Sequence, residues 1–223
     1  EFPSDFYAFQ EVNNFQADFL ADLLCDYNQI GQRFPAPAFW QNNIIFYHPR
    51  WQCLDKGHFF LSPTPDVPSR FRRSRWPRQC TWGRFQYKSR ILVCVTTHFD
   101  FLPDIQQKSA ELILERLQSH AHGIPTILMG DFNAPPDSAC YKVLTAPKHD
   151  GISGFAPIFT APCGGTHHGF SGKSDTAPID WILFRGALRV VSSQVVTSRF
   201  AGLYPSDHFP LTAEFVFPNK TNQ

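Results

Sequence analysis

A carboxylate and a carboxamide lie two residues apart, directly after an apolar run in the middle of the chain. They are Asp131 and Asn133 in the sequence GDFN, and the run covers residues 125–129. If the backbone stays extended, side chains two residues apart point to the same side. The carboxylate could then polarise an attacking water or bind a metal, while the amide donates to a phosphoryl oxygen. An Asx-rich turn after a strand would give the same residues a purely structural role.

A second motif, SDHFP, precedes the last predicted strand. Because Asp207 and His208 are adjacent on a loop, their side chains can serve different partners, a metal for Asp207 and a reacting phosphate for His208. A lone histidine is more often structural, but Asp180 at the edge of the buried strand IDWILF supplies a partner. A carboxylate there is costly unless it is paired. Pairing with His208 would raise the imidazole pKa and fix its tautomer.

Two further strand ends carry groups of the same kind. Glu11 lies near the end of the first predicted strand, in FQEV, and offers a hard oxygen ligand for Mg²⁺ or Mn²⁺. The motif THFD ends another strand with His98 and Asp100. Separate structural explanations for all these motifs are improbable together, so the sequence indicates one reaction centre.

An arginine-rich loop lies before one of the predicted hairpins. Within SRFRRSRWPR the arginines are Arg70, Arg72, Arg73, Arg75 and Arg78. The segment is either a solvated loop or a phosphate-facing loop in which Phe71 and Trp76 stack on rings. Arg78 follows Pro77 and opens a strand, so we expect it to be ordered, touching substrate phosphate or pairing with a carboxylate. The outer four arginines are expected to be mobile and individually dispensable.

The composition limits the class of protein. The chain has 223 residues, 43% of them hydrophobic, which is enough for one large domain over residues 1–223. Its net charge is +1, less basic than is usual for proteins that rely on contacts with nucleic-acid phosphates. We see neither a membrane-spanning run nor a signal peptide, and a cytoplasmic monomer is favoured, although export stays open. The six cysteines lack zinc-site spacing and are expected to be reduced unless the protein is exported.

The elements that must position these residues alternate in type. Strands are predicted at residues 5–12, 42–48, 51–62, 79–87, 90–98, 124–133, 179–184, 187–196 and 211–217. Helices are predicted at residues 13–27, capped by Asn13 or Asn14, at 103–121, capped by Asp104, and at 136–144. This order favours an α+β sandwich of two mainly antiparallel sheets packed face to face with outer helices. The absence of GxGxxG and GxxxxGK[ST] loops argues against dinucleotide and P-loop enzymes.

Taken in order, the motifs QE, TH, GDFN, IDWI and SDH resemble those of the endonuclease/exonuclease/phosphatase superfamily. The segments FFLSPTPDVPS, PRQCTWGRF and THHGFSG look like a microbial group of metal-dependent hydrolases within it. The resemblance implies a DNase I-like four-layer α/β sandwich with the site at one end, between the two sheets. It also implies a divalent cation, Mg²⁺ or Mn²⁺, and a phosphoester substrate, with nucleic acid as one possibility.

The resemblance also implies roles for individual residues. Glu11 and Asp207 would lie at the metal, Asp131 would orient or deprotonate the attacking water, and Asn133 would bind the phosphoryl oxygen. His208, paired with its aspartate, and His98 would act at the phosphate. The residues expected to contact substrate are Arg78, His168 and Asp100.

One feature of the family's opening has no counterpart in the printed sequence. Family members open with a strand ending in a metal-site asparagine, followed by a helix that leads to QE. The printed sequence begins almost on the QE strand. We expect that opening segment to precede it, and the alternative is a truncated homologue.

Three functions follow from these patterns. The favoured one is a phosphodiesterase acting on nucleic acid or a nucleotide. The second is a phosphatase or sphingomyelinase-like enzyme acting on a small or lipid phosphate. The third is a non-catalytic binding protein that keeps the fold; the intact GDFN and SDH motifs weigh against it, and the lack of the opening strand favours it.

Overall fold

The computed structural model describes residues 3–31, 41–147, 153–161 and 163–218. The strands are β1 (Phe6–Val12), β2 (Asn28–Ile30), β3 (Asn42–Tyr47), β4 (Gln52–Phe60), β5 (Gln79–Tyr87), β6 (Arg90–His98), β7 (Thr126–Asp131), β8 (Ala156–Pro157), β9 (Asp180–Arg185), β10 (Arg189–Val195) and β11 (Leu211–Val216). The helices are α1 (Asn14–Leu23), α2 (Pro103–Ala121) and α3 (Ala139–Thr145).

A six-stranded sheet forms the centre of the fold, in the order β4-β5-β6-β7-β9-β8. Its neighbours are antiparallel except β6 and β7, which are parallel because α2 carries the chain back between them. Side chains alternate between the two faces of the sheet. On one face Val93 and Leu128 pack against α2 through Ile113, whereas Cys94 and Ile127 face the opposite layer.

The opposite layer consists of two smaller sheets, β1-β3-β2 and β10-β11. Phe6 and Phe215 from this layer join the apolar cluster that contains Cys94 and Ile127 of the central sheet. Helix α1 covers the outer side of β1 and β3 through the fully buried Ala17. The sequence of layers is therefore helix, sheets, sheet, helices, which confirms the predicted α+β four-layer sandwich.

The helix starts follow from local hydrogen bonding. At α1 the Asn13 side chain accepts from the Gln16 amide N–H while the Gln16 side chain accepts from that of Asn13, a capping box that confirms the predicted cap. At α2 the predicted Asp104 cap is wrong. The N-cap is Leu102, and Pro103 occupies the first helical position, where its missing N–H costs nothing.

Two short strands were not predicted, β2 and β8. Both pair at sheet edges over three residues or fewer, too short to show a hydrophobic period. The predicted hairpin turn at Lys88 and Ser89 is confirmed, because Tyr87 pairs with Arg90 across it.

Two further expectations concern the reduced state of the cysteines and the lack of a membrane-spanning run. All six cysteines are free thiols, and Cys80, Cys94 and Cys140 are buried. Among the described residues, no helix combines the length and the apolarity needed to cross a membrane.

The glycine of GDFN allows β6 and β7 to come together next to the predicted site. Gly130 has φ +153°, and a Cβ there would lie 2.0 Å from the carbonyl oxygen of Thr97 on β6. That oxygen belongs to the backbone of a central strand and has little freedom to move. A side chain at position 130 would therefore push apart the two strands that carry His98 and Asp131.

We predict that Gly130→Ala lowers the free energy of unfolding by at least about 2 kcal/mol, because it combines a strained φ with a backbone collision. Gly123→Ala is the matched control, since Gly123 has φ +68° and a Cβ added there would meet no atom within 4 Å. It should cost only about 1 kcal/mol, the backbone strain alone. Urea denaturation of both variants measures the difference, and equal losses would contradict this explanation of Gly130.

Candidate active site

Three neighbouring strands of the central sheet each carry one site residue, and the three residues are in register. His98 on β6 is in register with Asp131 on β7, and Asp131 is in register with Asp180 on β9. Partners in register on adjacent strands project to the same face of a sheet. This face is the one that packs against β1, so the fold places an imidazole and two carboxylates side by side between the layers.

His208 is held against this row by Asp180. Its Nδ1 lies 2.7 Å from Asp180 Oδ2, and the loop that carries it is fixed by a β-bridge between His167 and His208. Burial opposes a charge on the imidazole, but the hydrogen bond and charge of Asp180, joined by the charges of Asp131 and Asp207, raise the pKa of His208 to about 9. The predicted pairing of Asp180 with His208 is thus present in the structure, and His208 is charged at neutral pH.

Asp131 is a buried carboxylate with an unusual protonation equilibrium. Burial and the neighbouring charge of Asp180 raise its pKa to about 7, although the backbone N–H of Asn133 donates to Asp131 Oδ1 at 2.8 Å. That bond forms because Asn133 turns out of the strand with φ +48°. The expected extended backbone through GDFN is therefore wrong, since the segment ends in an Asx turn that brings both groups into the site by another route.

Glu11 reaches the site from the second layer of the sandwich. The pairing of β1 with β3 is irregular between Phe9 and Val12, and Glu11 has φ +57°, so the strand bulges here and redirects the side chain. Glu11 Oε1 lies 3.4 Å from His98 Nε2, and Oε2 accepts a hydrogen bond from Gln41. About half of the Glu11 side chain remains exposed, which leaves its carboxylate accessible to a ligand.

His98 and Arg78 form a buried pair beneath the carboxylates. Arg78 Nη1 lies 2.8 Å from His98 Nδ1, and His98 Nε2 lies 3.5 Å from Asp131 Oδ2. Burial, with the charges of Arg78 and His208, holds the pKa of His98 well below its usual value. The hydrogen-bond partner of buried Arg78 is an imidazole and not a carboxylate, and the alternative contact with substrate phosphate stays a prediction.

The outer arginines of the loop have different surroundings. Arg73 pairs with Asp104 at 3.1 Å, and Arg70 donates to the backbone carbonyl of Ser74. Arg75 stacks over Trp76, whose ring remains 45% exposed. Two of these arginines are thus engaged within the fold, and the expectation that the outer four are mobile stays a prediction.

Asp207 lies on the side of the site that faces His167. Its Oδ2 is 3.9 Å from His167 Nε2. Within the described part of the chain, two groups of potential ligand atoms lie within 4.8 Å of one another: His167, Asp207 and His208, and Asp131, Asp180 and His208. Neither group includes Glu11, so the predicted metal residues Glu11 and Asp207 approach the centre from different sides.

The donors present fit a hard divalent cation. Carboxylate oxygens are preferred by Mg²⁺ and Mn²⁺. Burial and then the charge of Asp180 raise the pKa of Asp131, while the Asn133 hydrogen bond and His208 oppose the shift. A cation held by Glu11, with Asp207 at its side, would add positive charge next to Asp131.

Two residues predicted to contact substrate are buried and make contacts within the fold, and their contact with substrate stays a prediction. His168 is buried, stacks on Phe209 with ring centroids 3.9 Å apart, and accepts from the Gly172 N–H. Asp100 is also buried and accepts from the Leu102 N–H at the start of α2. Both side chains therefore stabilise loops that border the site.

Three positioning residues were not singled out in the sequence, although Gln10 belongs to the QE motif and Thr166 opens THHGFSG. The Thr166 hydroxyl accepts from the backbone N–H groups of Ile179 and Asp180, which fixes the start of β9. Gln106 on α2 donates to the carbonyls of Asp100 and Asn133. Gln10 donates to Thr96 across the two layers. These contacts join distant segments, so only the folded structure reveals them.

Several solved structures share this fold. Structures with a similar fold include an endonuclease/exonuclease/phosphatase family protein from Bacteroides thetaiotaomicron, 28% identical, TM-score 0.85, covering 96% of this chain and 84% of that one. A mannosyl-6-phosphatase of the same organism is 28% identical with TM-score 0.83, covering 96% and 85%. The catalytic domain of human Nocturnin, with bound sulfate, is 21% identical with TM-score 0.72, covering 96% and 81%, a likeness of fold alone.

The sequence itself was compared in two ways. No curated protein shows significant similarity to it. The model of the Endonuclease/Exonuclease/phosphatase family matches residues 1–208, a span that contains Glu11, Asp131, Asp180 and His208. The chain therefore belongs to the endonuclease/exonuclease/phosphatase family of phosphoester hydrolases.

Proposed function

We propose that the protein is a divalent-metal-dependent phosphatase that removes phosphate from a small, ring-bearing molecule such as a phosphorylated sugar. The main support for hydrolysis of a phosphoester is the placement of Asp131 and His208. Their ligand atoms lie within 4.8 Å of each other, one with a pKa of about 7 and the other with a pKa of about 9. Asp131 can therefore take up a proton near neutral pH in the metal-free site, and the His208 imidazolium beside it can neutralise phosphoryl charge.

The chemical roles follow from this arrangement. Asp131 accepts a proton from the attacking water, because a base is most effective when its pKa is near the working pH. His208, kept charged by Asp180, stabilises the negative charge of the phosphoryl group, and Asn133 donates its side-chain amide to a phosphoryl oxygen. A bound Mg²⁺ or Mn²⁺ would act as a Lewis acid toward the phosphoryl oxygens. Glu11 would hold it, with Asp207 on the side of the site that faces His167.

The preference for a small monoester rests on three observations. The mannosyl-6-phosphatase is 28% identical over almost the whole chain, which brings its substrate class into consideration. The net charge of +1 gives little general attraction for a polyanion. Phe101 is 67% exposed beside Arg78, whose guanidinium lies 5.5 Å from the ring, so an aromatic face is available next to the centre. Aromatic faces are common in sites for ring-bearing ligands.

A phosphodiesterase acting on nucleic acid is the second candidate, and it was favoured by the sequence. The supporting observation is the exposed Trp76 ring with the Arg75 guanidinium 5.4 Å from its centre. Such pairs can stack on unpaired bases. Against it, Arg73 and Arg78 have partners within the fold, which reduces the charge that this loop offers to a phosphate backbone.

A substrate panel separates the two candidates. We predict that kcat/KM for mannose-6-phosphate or p-nitrophenyl phosphate exceeds that for bis-p-nitrophenyl phosphate, a single-stranded oligonucleotide or sphingomyelin by at least ~10-fold. Turnover should cease in excess EDTA and return with Mn²⁺ or Mg²⁺. The carboxylates of the centre add negative charge, so a cation is needed to neutralise the phosphoryl group. Faster hydrolysis of the oligonucleotide would favour the second candidate, and full turnover in EDTA would contradict metal dependence.

Replacement of the two central groups tests their assigned roles. Asp131→Asn and His208→Gln should each lower kcat by at least ~10²-fold, because a positioned base or a charged donor is lost. Asp104→Asn is the matched control, since it removes an exposed carboxylate that pairs with Arg73 away from the centre. The control should keep the parent kcat. Wild-type turnover of folded Asp131→Asn, with folding checked by thermal unfolding, would refute its role as the base.

A further inference from the structure

The pair formed by Arg78 and His98 restricts the protonation of the imidazole. Both side chains are buried, Arg78 at 6% and His98 at 3% exposure, and Arg78 Nη1 lies 2.8 Å from His98 Nδ1. A guanidinium has only donors and stays charged in proteins. The Nδ1 atom must therefore accept, and the single proton of a neutral imidazole must lie on Nε2.

The opposite tautomer is disfavoured by the same contact. It would place an Nδ1–H against an N–H of a buried guanidinium at 2.8 Å, where neither group can accept. Hydrogen bonds from a charged donor are about twice as strong as neutral ones. Burial lowers the pKa of Arg78, and the charges of Glu11, Asp100 and Asp131 oppose that shift and favour the charged donor.

The Nε2 atom of His98 faces the centre of the site. It lies 3.4 Å from Glu11 Oε1, 3.5 Å from Asp131 Oδ2 and 3.0 Å from Asn133 Nδ2. The Asn133 amide is oriented by a second bond, because Nδ2 also donates to the Phe99 carbonyl at 3.0 Å. Flipping the amide would turn Oδ1 toward that carbonyl oxygen, which cannot donate.

Two N–H groups here cannot donate to each other, and the oxygens nearest to His98 Nε2 are those of Glu11 and Asp131 at 3.4 and 3.5 Å. One N–H belongs to His98 Nε2 and the other is the second N–H of Asn133 Nδ2, and the two nitrogens lie 3.0 Å apart. A single oxygen lying beside both atoms would accept from each of them. In a phosphoesterase the oxygen that enters such a site belongs to the phosphoryl group.

We propose that Arg78 is a positioning residue that holds His98 as the neutral Nε2–H tautomer, so that His98 and Asn133 donate together to one phosphoryl oxygen. The identity of that oxygen rests on the proposed function, whereas the tautomer does not. Arg78 acts through His98 and needs no contact with the substrate. This role explains why a buried arginine lies beside a histidine instead of beside one of the nearby carboxylates.

The tautomer is measurable directly by long-range ¹H–¹⁵N correlation NMR on protein labelled at histidine, without substrate or metal. The His98→Asn variant assigns the His98 signals. We expect wild type to show protonated Nε2 and unprotonated Nδ1, and Arg78→Lys, which keeps a charged donor, to show the same pattern. Arg78→Met should lose it, because Nδ1 no longer has a donor and Asn133 can then donate to Nε2. Arg73→Met, the matched loss of an arginine from the same loop, should leave it unchanged.

Kinetics with p-nitrophenyl phosphate complete the test. Arg78→Met should lower kcat by about 10-fold or more with a smaller change in KM, and Arg78→Lys should recover most of that loss. An Nδ1–H tautomer in wild type, or an unchanged Nε2–H tautomer in Arg78→Met, would overturn the inference. If Arg78→Met does not fold, Arg78→Lys decides, since loss of the Nε2–H pattern there would equally contradict it. Correct tautomers in a wild-type protein that lacks phosphatase activity would refute the proposed function alone.

Discussion

The structure depends on one constraint, the register that aligns the ends of β6, β7 and β9. It places His98, Asp131 and Asp180 side by side on a face that is covered by the second layer. Two carboxylates, Asp131 and Asp180, are thus close together in a buried site, which is costly unless their charge is compensated. The consequence is visible in Asp131, whose pKa is raised to about 7, and in His208, whose pKa is raised to about 9.

Several local features serve this alignment. Gly130 permits the close approach of β6 and β7, and the bulge at Glu11 turns a carboxylate from the second layer toward the same point. Thr166 fixes the backbone at the start of β9, from which Asp180 reaches His208. The centre is thus assembled from segments far apart in the sequence. Its geometry therefore depends on correct packing of both layers.

The sequence predicted the residues of the centre better than their geometry. Asp131, Asp180 and His208 were identified because charged groups at the ends of apolar strands are costly without a purpose, and the sandwich followed from the order of elements. The turn at Asn133 was one of two alternatives that the sequence left open, because extended and Asx-turn backbones share the same sequence signal. The burial of His168 was missed, since it results from stacking on Phe209, a contact between distant residues.

We propose that a divalent cation binds beside Asp131, and calorimetry of Mn²⁺ binding tests this most directly. A cation displaces the proton that Asp131 holds when its pKa is about 7. Titrations in buffers of different ionisation enthalpy should therefore show more protons released at about pH 6 than at about pH 8. His208, with a pKa of about 9, is mainly protonated at both values, and any proton that a nearby cation displaces from it would be released mainly at about pH 8, opposite to the Asp131 effect. The account predicts that this difference disappears in Asp131→Asn. Absence of Mn²⁺ binding, or an unchanged pH dependence in that variant, would contradict it.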